Sequence, residues 1–340
     1  MNKLTKIGAS ALAGSLVSVS AIAGELAVSG SWELTYKSDD NTAQGNPFGS
    51  KSAISFNGSG EVDGVGTATF YAQMNDNNPA GYTSHLITMD MGDMGTFGFD
   101  QGVGEYGAST IDDKSPTAWE ESWHNTSNSS GGLVHTGGSG GVLGYANTIA
   151  GMNISFEYAP EINSNDNGDG ITGKGTASIA GGSNMNIAIT SDSLMDGLSV
   201  GVGAGETEYD NTAVVGQEDG SSVVGFVNYT MGPVTAGVTM SESNNARSAT
   251  ANTNAGGREV TAMGIAFAVN ESLSISYNQH DMTYKNRGGT ADVDQESTGI
   301  AIAYTMGGAK VAIQNNEQDN TGGTSGTNDE ITEISLSLAF

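Results

Sequence analysis

From Leu26 onward the chain alternates apolar and polar residues with a period of two. Leu26, Val28, Trp32, Leu34 and Tyr36 fall on one face, and Ala27, Ser29, Ser31, Glu33, Thr35 and Lys37 on the other. The pattern returns along the whole chain, for instance at Ile54/Phe56, Ile87/Met89/Met91, Phe97/Phe99, Met152/Ile154/Phe156/Tyr158 and Val234/Ala236/Val238/Met240. Met263/Ile265/Phe267/Val269, Ile300/Ile302/Tyr304/Met306 and Ile334/Leu336/Leu338/Phe340 repeat it. Period two is the signature of a strand with two unlike faces. A soluble sandwich carries Lys and Glu on its outer face, yet here Lys is almost missing from these segments and the wet face is Ser, Thr, Asn, Gly, Gln and Ala. An apolar outside around a polar, Gly-rich inside describes a wide barrel in lipid with an open lumen.

Beyond the N-terminal leader no stretch approaches the ~18 apolar residues of a spanning helix. The chain can therefore cross a membrane only as a closed barrel, since strands of ~9 to 11 tilted residues suffice and closure pairs every backbone group. The N-terminus supports export: Lys3 and Lys6 precede a small-residue and apolar stretch from Ile7 to Val19, and Ala21-Ile22-Ala23 offers a cleavage site. Residues 1–23 read as a signal peptide and 24–340 as a single barrel. Cleavage would leave nine bases against 38 acids, a net charge of -29. So few bases leave no stripe to neutralise a phosphate backbone, which excludes nucleic acid as a partner. The absence of Cys removes thiolate metal sites, disulfides and Cys nucleophiles.

Connection lengths give an independent signal. Short turns at Asp63-Gly64, Gly92–Gly95, Ile149–Gly151, Met195–Gly197, Gly232-Pro233, Asn270-Glu271 and Gly307-Gly308 alternate with long polar links. The long links fall at Asp39–Ser50, Asn75–Gly81, Gln101–Ser139, Glu161–Gly175, Asp210–Gly220, Ser243–Gly257, Asn286–Glu296 and Asn315–Asn328. Short turns on one rim and long loops on the other are the habit of transmembrane barrels, and the count predicts 16 antiparallel strands. Helix is expected only as a turn or two inside the 101–139 link.

That link is far longer than a hairpin needs. It holds two of the three Trp, Trp119 and Trp123, with Tyr106, and the acids Glu105, Asp112, Asp113, Glu120 and Glu121. Folded into the lumen, it would bury its rings on the inner wall and place its carboxylates in the channel; the alternative is a loop packed above the mouth. By strand parity Lys37 and Lys51 point into the lumen and are the only wall bases expected near the constriction, while His85 turns outward with Ile87 and Met89.

Other motifs carry less. Gly102-Val103-Gly104-Glu105-Tyr106-Gly107 matches a dinucleotide fingerprint, but no amphipathic helix follows and Asp112 and Asp113 would repel a pyrophosphate. Gly137-Gly138-Ser139-Gly140-Gly141 lacks the strand before and the helix after that a nucleophile elbow requires. Asn165–Gly170 imitates the start of a Ca²⁺ loop, with Asp166 and Asp169 as oxygen ligands, but Thr176 stands where the closing Glu is required. It reads as an external loop with, at most, a structural Ca²⁺; no other cofactor is expected.

The chain from Gly24 to Phe340 resembles the general porins of Gram-negative outer membranes. The most specific pieces are Gly92–Phe99, similar to that family's turn and strand leading into its third loop; Gly140–Asn147 and Gly151–Pro160, similar to the hairpin leaving it; and the closing strand Ser335–Phe340 with its terminal Phe. The resemblance implies a 16-stranded barrel in the outer membrane, a homotrimer, contact with outer-membrane lipid, and a constriction where acids of the third loop face basic residues of the wall. The expected function is passive diffusion of small hydrophilic solutes and ions. The chain departs from the family at Asp100-Gln101-Gly102 and Gly137-Gly138-Ser139, where such porins usually carry Arg. With Lys114, Lys37 and Lys51 as the counted bases, the eyelet should be negative and prefer cations. Two other classes remain open: a barrel enzyme such as a lipase, and an adhesin whose lumen is plugged.

Overall fold

A lipid-facing barrel must pair its first strand with its last, because an open edge would leave backbone groups unsatisfied in hydrocarbon. In the computed structural model that closure is made between β1 (Gly24–Asp39) and β16 (Asp329–Ala339), with Thr35 opposite Ser335 and Trp32 opposite Leu338. The terminal Phe340 exchanges both backbone hydrogen bonds with Gly30, at 3.1 and 2.9 Å. The structure describes residues 19–21, 24–39, 45–76, 82–112, 114–124, 141–160, 181–209, 219–244, 256–285 and 291–340.

Among these residues sixteen barrel strands follow one another, each antiparallel to its sequence neighbours. They are β1, β2 (Phe48–Val62), β3 (Gly66–Asn75), β4 (Ser84–Asp90), β5 (Thr96–Gln101), β6 (Val142–Ile149), β7 (Met152–Ala159) and β8 (Gly181–Ser191). The second half comprises β9 (Leu198–Tyr209), β10 (Gly220–Met231), β11 (Val234–Asn244), β12 (Arg258–Ala268), β13 (Leu273–Tyr284), β14 (Val293–Met306), β15 (Ala309–Asp319) and β16. Val19–Ala21, on the far side of the expected cleavage site, forms a three-residue ladder with Gly24–Leu26.

The apolar rows face outward. On β7, Met152 and Tyr158 are 40% and 38% exposed while Glu157 is 2% exposed. Two expectations need correction. Strands reach further than the apolar rows: β15 runs to Asp319, into the link expected from Asn315, and its outward residues Asn315, Glu317 and Asp319 are exposed. Above the hydrocarbon band the outward face meets water and headgroups, so alternation of polarity stops while the hydrogen-bond ladder continues. Single 3₁₀ turns also occur outside the third loop, at Gly92–Met94 and Thr321–Gly323, besides the one inside it at Gly107–Ile111.

Candidate pore constriction

The long link leaves β5 through a turn built on Asp100, whose two carboxylate oxygens accept hydrogen bonds from the N–H groups of Val103 (2.7 Å) and Glu105 (2.8 Å). The Gln101 side-chain oxygen accepts from the Gly141 N–H at the loop's return, which ties entry to exit. Asp100 and Gln101, at the place where the resemblance led one to expect Arg, thus serve the backbone of the loop.

Tyr106 then lies flat on the wall. Its ring occupies the space over Gly98 of β5 and Gly144 of β6, where any Cβ would overlap it. From there the loop follows the inner wall through β7 to β15. Gly107 N–H donates to Ser155 Oγ (2.8 Å) and Ala108 N–H to Asn186 Oδ1 (2.6 Å). Ile111 packs with Ala108, Ala188, Val224 and Phe226 and reaches within 3.0 Å of the place a Cβ would take on Gly203. Asn228 Nδ2 donates to the Lys114 carbonyl (2.6 Å), and Pro116 sits on Gly264. Asn278 accepts from Ser122 Oγ (2.8 Å) and donates to Ser115 Oγ (2.6 Å). The Trp123 ring packs against His280 with centroids 4.6 Å apart and planes tilted by 43°, and Asn316 donates to the Glu121 carbonyl (3.2 Å). The bonds to Gly107, Ala108, Lys114, Glu121 and Ser122 satisfy loop backbone groups, at a net gain of about 1 kcal/mol per bond.

The loop therefore lies in the lumen, against β5 to β15, and the wall glycines make room for it as well as for water. Asn153, Ser155 and Glu157 share the inward row of β7: Glu157 lies beneath the loop at Gly107, Ser155 holds the Gly107 N–H, and Ser155 and Asn153 both line the lumen.

The eyelet is formed where Glu120, Glu121 and His124 face the wall strands β15, β16, β1 and β2. Lys51 Nζ is 3.0 Å from Glu33 and Lys37 Nζ is 3.1 Å from Glu333. His124 Nδ1 is 3.0 Å from Glu120 and 3.7 Å from Glu121. The Glu120 hydrogen bond, and then that of Glu121, raise the His124 pKa to about 10 against the effect of burial, so His124 is a cation at neutral pH. Burial opposes ionisation of Glu120, but His124, with Lys51 and Lys37 behind it, outweighs burial and holds the carboxyl below its usual range.

Of the expected site residues, the structure brings Glu120, Glu121, Lys37 and Lys51 to the eyelet. Glu105 lies at the loop's start, lining the lumen below it; burial there, with Asp100 nearby, raises its pKa. Asp112 is half-buried and is not part of that lining. Asp113, Asp166 and Asp169 lie outside the described residues. The charge count also needs correction, because Lys37 and Lys51 are not the only wall bases. Lys310 of β15 lines the lumen within the field of Glu120 and Glu33. Glu33, Glu333 and His124 complete the set, so among the described residues the eyelet holds four acids and four bases. Strand parity already placed Glu33 inward, and the same parity, with Val311 and Ile313 outward, marks Lys310.

A lumen of about 1870 Å³ opens beneath the loop, lined by its underside and by the short turns of the opposite rim. A closed barrel in lipid, narrowed from inside by its own third loop, defines a membrane channel. The family model for Gram-negative porins matches residues 8–340, and the chain belongs to that family; the protein is an outer-membrane channel. No curated protein matches the sequence. Among solved structures it is similar to in-vitro folded OmpT, an outer membrane protein of Vibrio cholerae, at 12% identity and TM-score 0.66, over 95% of this chain and 100% of that one. Salmonella typhi OmpF in complex with daunomycin matches at 14% identity and TM-score 0.66, with the same coverage. An anion-selective porin from Comamonas acidovorans matches at 12% identity and TM-score 0.64, over 93% of this chain and 100% of that one.

Proposed function

We propose that the protein is a passive diffusion channel for small hydrophilic solutes and ions, performs no covalent chemistry, and discriminates weakly by charge in favour of cations. The observation that carries this reading is the aqueous lumen beneath a wall-anchored loop whose eyelet balances four acids against four bases. At physiological ionic strength the Debye length is ~8 Å, so these fields reach the axis of a narrow pore. With the eyelet balanced, the sign of selectivity falls to the charges outside it, Glu105, Asp93, Asp192 and Glu271 against Lys114 in the lining of the lumen, which favours cations modestly. Removal of residues 1–23 on export and assembly as a homotrimer complete the reading; the Vibrio OmpT has been described in a trimer form. Ca²⁺ at Asp166 and Asp169 stays a minor part of it.

Planar-bilayer recording tests this. Steady ohmic conductance with a small cation-selective zero-current potential in a KCl gradient supports it; lipid hydrolysis by the purified protein, or a barrel that does not conduct, would favour the enzyme or adhesin.

His124 gives a finer test. At pH 8 an ordinary imidazole is neutral, so His124→Gln should leave selectivity alone. Here the variant removes a cation and should raise cation preference at pH 8, the two proteins converging above pH 11. Because the pKa is raised in the docked loop, this ion pair supports docking fully below pH ~6.5 and loses that contribution as pH rises through about 10. Its exposure keeps the contribution small.

A further inference from the structure

Glu105 stands at the start of the third loop with no base to meet it. The ion pairs among the described residues use Glu33, Glu120, Glu121, Glu259, Asp292 and Glu333, and Glu105 is exposed. Its backbone is nonetheless fixed on both sides. Its N–H is held by Asp100 at 2.8 Å, and the next residue, Tyr106, is wedged over Gly98 and Gly144. Between this turn and the inner wall of β2 to β6 lies a recess of about 500 Å³, and none of the eyelet residues lines it. Glu105 lines both the recess and the lumen, so the one opens into the other beside its carboxylate. Register sets the wall of the recess: Tyr71 is opposite Leu86, and Thr88 is opposite Gly98, on which Tyr106 rests. Val103, on the turn itself, adds a further apolar side chain. Among the described residues Glu105 is the one charged group of that lining, and the buried Asp100 carboxylate behind the turn adds to its negative field.

We propose that this recess binds a small organic monocation, an ammonium carried on a flat apolar body, with Glu105 taking the charge and Tyr71, Leu86 and Val103 the body. This goes beyond the channel reading, which needs no bound solute. An unpaired carboxylate can be met by a passing cation without breaking an existing ion pair, and its hydrogen bonds with an ammonium are charge-assisted. Because the turn is already fixed, little ordering is needed on binding. The Tyr71 hydroxyl accepts a hydrogen bond from Gln73 at 3.0 Å, which holds its half-buried ring as part of the wall. The volume falls within the range of small-molecule sites, roughly 300 to 1,000 Å³. An anion finds no base in the lining, and a hydrated K⁺ gains nothing from Leu86 and Val103. A hard divalent metal needs about six oxygen ligands, whereas no group of three metal-ligating side chains occurs among the described residues.

The test is ligand-observed fluorine NMR at neutral pH, with para-fluorobenzylamine as the probe and para-fluorobenzyl alcohol and para-fluorobenzoate as controls of the same body. The amine should show saturable line broadening on the detergent-solubilised protein at concentrations where neither control does. Glu105→Gln should weaken amine binding about tenfold, the effect of losing one charge-assisted hydrogen bond. Thr88→Phe fills the recess without touching the charge and should abolish binding. Glu271→Gln removes a lumen acid outside the recess and should leave binding unchanged. Heat-modifiable migration verifies that each variant has assembled. Equal weakening by Glu105→Gln and Glu271→Gln would mean that the lumen's field merely gathers the amine, and would overturn the site. So would alcohol binding as strong as that of the amine, or amine binding that survives Thr88→Phe. A wild type that conducts KCl normally but does not bind the amine overturns the recess and leaves the channel reading intact. One that binds the amine but does not conduct upholds the recess and removes the channel reading.

Discussion

Replacing Gly144 by Val is expected to release the start of the third loop and raise single-channel conductance. The Tyr106 ring fills the space over Gly144 and Gly98 and is 2% exposed. A Val side chain on β6 cannot share that space, and β6 cannot retreat because it is paired on both sides with β5 and β7. The ring is what must move. Overpacking of this kind costs about 1 to 3 kcal/mol, comparable with one or two loop anchors, so entry residues 102–111 detach before the wall deforms. Larger and noisier conductance, with unchanged heat-resistant migration on detergent gels, is the expected outcome. Tyr106→Ala in the Gly144→Val background should add little, since both changes evict the same ring.

Phe156→Arg is expected to impair assembly. Phe156 shares the outward face of β7 with Met152 and Tyr158, and its cross-strand partners are Tyr145 and Ile187. A charge on the lipid side near the midplane costs about 2 to 4 kcal/mol, against little on the lumen side. The matched control is Asn153→Arg, which projects into open lumen; Ser155→Arg is unsuitable because Ser155 Oγ holds the Gly107 N–H. The yield of heat-modifiable folded protein measures the difference. Equal tolerance of Phe156→Arg and Asn153→Arg would mean that the register of β7 is shifted by one residue.

The outward face was legible in the sequence because lipid imposes a simple demand on it: every second residue must be apolar. That demand ends at the hydrocarbon boundary, which is why β15 beyond Ile313 read as a loop. The lumen face is constrained only to be polar, so its residues do not announce their roles. Asn186, Asn228, Asn278 and Asn316, which hold the third loop's backbone, look like any other wet positions. The glycines at 98, 144, 203 and 264 suggested an open lumen, when their lack of a Cβ is what lets Tyr106, Ile111 and Pro116 lie against the wall. The acids of the loop could be named from composition, but their pairing could not. Glu33, Glu333 and Lys310 enter the eyelet through cross-strand geometry between segments some 300 residues apart in sequence. Lys310 follows the short turn Gly307-Gly308, away from the long loops, so its place in sequence gives no sign of the eyelet.

The central claim is that the third-loop carboxylates Glu120 and Glu121 balance the bases of the eyelet, so that the remaining acids of the lumen leave a weak preference for cations. The most direct test is the zero-current potential across a KCl gradient at pH 7 for the wild type and for the double variant Glu120→Gln, Glu121→Gln. Removing these acids also removes the cause of the high His124 pKa, so that imidazole loses its charge, and three lysines then face two glutamates. The account predicts a small cation-selective potential in the wild type that reverses to anion-selective in the variant, both fading at high salt. An anion-selective wild type, or a variant as cation-selective as the wild type, would contradict it.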